Sequence, residues 1–88
     1  MHGVFTTVTV EDSEAARAML RDQVVPMVKA SAGFVSAVWL APVDNHGVSI
    51  VVYDTEANAR ASAPTVGPSP MPGVVFDTVE VREVVASA

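Results

Sequence analysis

Between residues 4 and 10, Val4, Thr6, Val8 and Val10 alternate with Phe5, Thr7 and Thr9, and a two-residue period among β-branched and aromatic side chains predicts a strand with two faces. The period changes after Glu11-Asp12-Ser13-Glu14. Asp12 or Ser13 supplies an N-cap, and the carboxylates meet the positive end of a helix dipole. Ala16, Met19, Leu20, Gln23, Val24, Met27 and Val28 then recur at three- and four-residue steps, one apolar stripe with Arg17, Arg21, Asp22 and Lys29 largely off it. Pro26 offers no N–H to the Asp22 carbonyl and its ring crowds it, so a kink is expected, with a last turn from Met27 to Ala30. Gly33 ends the helical segment.

From Phe34 onward the alternation returns: Phe34, Ser36, Val38 and Leu40 fall on one face, and Val35, Ala37, Trp39 and Ala41 on the other. Both faces are largely apolar, so both need covering. Asp44-Asn45-His46-Gly47 reads as a turn that joins this strand in a hairpin to Val48 through Tyr53. Asp54-Thr55-Glu56 caps a short alanine-rich helix from Glu56 to about Ser62, which Pro64 stops. Residues 64 to 73, PTVGPSPMPG, read as a stiff loop without regular structure, and Val74 to Val85 as the last strand. The order β-α-β-β-α-β predicts an α+β, ferredoxin-like fold: one domain, residues 1–88, with a four-stranded antiparallel sheet carrying two helices on one face. The other face is left with its own apolar side chains, and a second copy of the chain is the expected cover, giving a homodimer through the sheet face.

Composition sharpens that expectation. Half of the 88 residues are hydrophobic and 17% are charged, more apolar surface than one small domain easily hides. A net charge of −5 with five scattered basic residues opposes nucleic acid and anionic membranes as partners. With no cysteine there is no disulfide, thiolate metal site or cysteine nucleophile, which fits a reducing compartment, and a cytoplasmic protein is expected. MHGVFTTVTV lacks the basic and apolar regions of a signal peptide, and no run approaches the roughly 20 apolar residues of a membrane helix.

The candidate chemistry is sparse. Trp39 is placed to line a pocket or an interface, and Tyr53 ends its strand beside the second helix, where a phenol can reach a cavity. Arg60 can clamp an oxygen-bearing substrate or pair with Glu56 four residues earlier. Met19 and Met27 on the helical stripe fill core space or line an adaptable pocket, and the loop bearing Met71 is either a lid or a plain crossover. His2 and His46 have no second ligand at metal-binding spacing, so no metal site is expected. Phosphate loops, HExxH and nucleophile elbows are absent.

The segments VFTTVTV, VVPMVKASAGF, FVSAVWL, VVYDTEANARA and VEVREVV together resemble the dimeric α/β-barrel superfamily, in its antibiotic-biosynthesis-monooxygenase-like group, over nearly the whole chain. That resemblance implies two ferredoxin-like subunits packed sheet to sheet, each with a small-molecule site between sheet and helices. It also implies activities such as cofactor-independent oxygenation of phenolic molecules, or isomerisation, with no cofactor. Tyr53 and Arg60 are then the expected catalytic residues, and Trp39, Met19, Met27 and Asn58 the expected ligand contacts. The haem-degrading members of the group are excluded by residue: Thr6 and Thr7 stand where they carry an Asn, Tyr53 where they carry a Trp, and EANARASA has no His. A non-catalytic binding or interaction module is the alternative.

Overall fold

The first alternating run forms β1 (His2–Val10), which lies inside an antiparallel sheet rather than at its edge in the computed structural model, which describes residues 1–88. Its neighbours are β3 (His46–Tyr53) and β5 (Val74–Glu83); β2 (Phe34–Val43) pairs outside β3. A fifth strand, β4 (Gly67–Pro68), adds to the far side of β5, giving the order β2-β3-β1-β5-β4. The α+β arrangement is compatible with a ferredoxin-like fold, with five strands in place of the expected four. The extra strand falls inside the segment expected to lack regular structure. Proline is tolerated there because an edge strand leaves one side of its backbone unpaired.

The first helical segment starts as expected, with the Asp12 carboxylate accepting from the N–H groups of Glu14 and Ala15, both at 3.1 Å. It then departs from a simple kinked helix. α1 (Ser13–Met19) opens into a π-helical turn (Leu20–Val24) before α2 (Val25–Lys29). The N–H of Val25 bonds the carbonyl of Leu20, five residues back. Widening the helix here relieves the conflict at Pro26, which takes a first-turn position in α2, where a missing N–H costs little.

α3 (Glu56–Ser62) is capped by Thr55, whose hydroxyl accepts from the Asn58 N–H at 3.1 Å. Its Ala59, with no exposed surface, is small enough to seat the helix directly on the sheet beside Val4 and Tyr53. Phe34 joins this cluster. A bulge at Val35 explains why: Phe34 pairs with Tyr53 but Ser36 with Val52, so one extra residue turns Phe34 to the helical face, opposite to the face expected from strict alternation. The hairpin between β2 and β3 is tighter than expected, with only Asp44 and Asn45 between the paired Val43 and His46. Their φ angles of 51° and 67° fit a two-residue type I′ turn, which Asn and Asp tolerate.

Only eight residues are buried, so the interior is thin, and the helices do not close fully on the sheet. The opposite face is open. There Phe5, Ile50 and Val38 lie in one row across β1, β3 and β2, with Val48 and Leu40 in the next. Val38 and Leu40 are more than half exposed, at 55% and 56%. No helix is long and apolar enough to cross a membrane.

Candidate functional site

The incomplete closure leaves a cavity of about 630 Å³ between the sheet and the first helical segment, within the size range of small-molecule sites. Its roof comes from Met19, from Gln23 and Val24 of the π-helical turn, and from Met27 and Val28 of α2. The widened turn thus forms part of the wall. The prolines of residues 64 to 70 and Met71 form one side. Ser69 shapes that loop: its N–H bonds the Val74 carbonyl at 3.1 Å and its hydroxyl accepts from the Met71 N–H at 3.1 Å, which holds Met71 at the cavity. A smaller recess of about 140 Å³ adjoins it, sharing Val24, Trp39, Ser49, Met71 and Phe76, and runs past Leu20 and Arg17.

The floor is the helical face of the sheet, where strand pairing sets the chemistry row by row. Val4 pairs with Val51, Thr6 with Ser49, and Val8 with Gly47. Trp39 on β2 pairs with Ser49 and extends the middle row. Tyr53 closes one end, 3% exposed. Its phenolic oxygen is 3.2 Å from the Ser31 hydroxyl, which also contacts the Val28 carbonyl. The Ser31 hydroxyl faces two acceptors, the Val28 carbonyl and the Tyr53 oxygen, so Tyr53 accepts from Ser31 and keeps its own O–H.

No Asp, Glu, Lys, Arg or His lines the larger cavity; Tyr53 is its one titratable side chain. Among the residues singled out from sequence, Tyr53, Trp39, Met19 and Met27 meet at this cavity. Arg60 and Asn58 do not. Arg60 projects from the exposed side of α3 and binds Glu56 through two nitrogens, at 2.7 and 2.8 Å. That guanidinium holds the Glu56 carboxyl below its ordinary range, first by hydrogen bonding and then by charge. The Asn58 amide donates to Asp54 at 2.8 Å, packed over Gly33. A Cβ at Gly33 would overlap both side chains, and its φ of 76° also favours glycine, so Asn58 and Asp54 serve the junction between α2 and β2.

Thr6 and Ser49 were not singled out from the sequence. The available signal was one hydroxyl residue on the otherwise aliphatic face Val4-Thr6-Val8-Val10; only strand register shows that Ser49 lies beside it. A separate polar group, Thr9, His46 and Asp77, has the Thr9 hydroxyl donating to Asp77 at 2.7 Å and lying 3.3 Å from Nδ1 of His46. No group of three or more His, Cys, Asp or Glu is placed to hold a metal ion. Compared with family models, with curated proteins and with solved structures, the chain matches none of them.

Proposed function

We propose that this chain binds a small, uncharged and predominantly apolar molecule between its sheet and its first helical segment. The supporting observation is a cavity of about 630 Å³ with ten hydrophobic lining residues out of eighteen and no side chain that is charged at neutral pH. An anionic ligand entering it would lose hydration without gaining a counter-charge, whereas a neutral one gains apolar contact at little cost. Methionines at the roof and mouth fit ligands of varied outline.

The matched test is calorimetric titration at pH 7 with methyl 2-naphthoate and with 2-naphthoate. The ester is expected to bind and the carboxylate to bind at least tenfold more weakly, about 1.4 kcal/mol. Equal binding, or preference for the carboxylate, overturns the reading.

Dimerisation through the open face belongs to the same proposal, as does membership of the monooxygenase-like dimeric α/β-barrel group. The patch of Phe5, Val38, Leu40, Val48 and Ile50 supports it: it is apolar and is bordered on β5 by the exposed Glu80 and Arg82. The same patch on a second copy supplies a self-complementary partner. A catalytic reading, cofactor-independent oxygenation or isomerisation, rests on Tyr53 as the one titratable cavity group. Without Arg60, a substrate anion would meet only neutral donors: hydroxyls, the Gln23 amide and the Trp39 indole. The binding reading is therefore the one we favour.

A further inference from the structure

The cavity floor is apolar except along one row. The rows on either side pair Val4 with Val51 in the cavity and Val8 with Gly47 in the adjoining recess, but the middle row brings together Thr6, Ser49 and Trp39. All three line the cavity. Thr6 is 3% exposed and its hydroxyl has no hydrogen-bond partner within the protein, yet it is not sealed in: the one buried side-chain nitrogen or oxygen left sealed and unpaired is Nδ1 of His2. The hydroxyls of Thr6 and Ser49 do not bond each other either, although directly paired strand residues place their Cβ atoms only about 5 Å apart. A buried polar group without a partner is costly, and each hydroxyl here has a hydrogen to give. Trp39, third in the row, contributes an N–H, which is a donor only.

The geometry points to this row as the recognition point for a single acceptor oxygen: the cavity takes an apolar molecule bearing a ketone, quinone or ester carbonyl, whose oxygen sits between Thr6 and Ser49. The inference rests on the neutral-ligand reading and adds polarity and orientation to it. A hydrocarbon fills the same space but leaves both hydroxyls unpaired. An anion, though a stronger acceptor, has no charge to meet.

The probe pair is 9-fluorenone and fluorene, alike in shape except for the carbonyl, titrated against the intact protein by calorimetry. Fluorenone is expected to bind about tenfold more tightly, as one or two net hydrogen bonds would give. Thr6→Val keeps the side-chain shape and should bring the ratio close to one, by weakening fluorenone and leaving fluorene bound as tightly as before or more so, with a melting temperature no lower than that of the wild type. Ser49→Ala should reduce the same ratio and serves if Thr6→Val folds poorly. Equal binding of the two probes by the wild type, or a ratio unmoved by both substitutions, overturns the carbonyl assignment alone. Binding of neither probe overturns the cavity reading together with it.

Discussion

At the scale of single residues, the difference between a functional and a structural side chain here is set by which way a backbone segment turns. Tyr53 ends β3 on the helical face and reaches the cavity; Arg60, seven residues later, faces solvent and finds Glu56 one helical turn back. Both carry suitable chemistry, and sequence alone places them near each other. Arg60→Ala is expected to leave probe affinity unchanged and to raise the Glu56 carboxyl towards its ordinary range, with only the smaller pull of nearby His2 remaining, followed by NMR titration of that carboxyl. The sign follows from the lowered folded-state value: the pair stabilises the fold above the ordinary carboxylate range, near 4.5, and that contribution fades as pH falls through the lowered value. Wild type and variant should thus converge in stability in acid. A large loss of probe affinity in Arg60→Ala would place the guanidinium in the site after all.

Whole elements were legible where hydrophobic period and capping agreed. The alternation of β1, the Asp12 and Thr55 caps and the order of strands and helices are written in side-chain pattern, because local sterics and burial both demand it. Three features were not: the bulge at Val35, the two-residue β4 and the π-helical turn. Each depends on what the neighbouring backbone offers, since a bulge needs a partner strand to be out of step with, and β4 needs the edge of β5. Pro26 did signal a disturbed helix, but not that the strain would be relieved upstream by a five-residue hydrogen bond. The site suffered likewise: alternation put Thr6 on the core face, but only register against β3 set Ser49 beside it. Restoring an N–H with Pro26→Ala lets the Asp22 carbonyl accept a regular α-helical bond, which competes with the π turn. The expected result is a several-fold weaker hold on methyl 2-naphthoate, with no loss of melting temperature, because Gln23 and Val24 rotate relative to the cavity. Unchanged affinity, with amide shifts showing the turn converted to α-helix, would remove the turn from the binding account.

For the molecule as a whole, one sheet has two unlike tasks. Its helical face is partly covered and houses the cavity; its open face carries aliphatic and aromatic side chains with no cover inside one chain. Burying several such side chains is worth roughly 1.5–3 kcal/mol each, a large share of the stability of a domain this small. A dimer should therefore show a melting temperature that rises with protein concentration. Ile50→Lys, at a position 43% exposed in the single chain, should yield a monomer by light scattering that still folds and still binds the ester. A wild type already monomeric at micromolar concentration would contradict the dimer while leaving the cavity reading intact, since no lining residue is borrowed from a second copy.

The central claim is that the space between sheet and helices is a binding site for a neutral ligand, and a ¹H–¹⁵N NMR titration with methyl 2-naphthoate tests it residue by residue. Saturable shifts are expected at the amides of Thr6, Val24, Ser49 and Met71 and at the Trp39 indole, with Val38 and Ile50 on the open face largely still. Shifts confined to Val38, Leu40 and Ile50, or none that saturate, would contradict it.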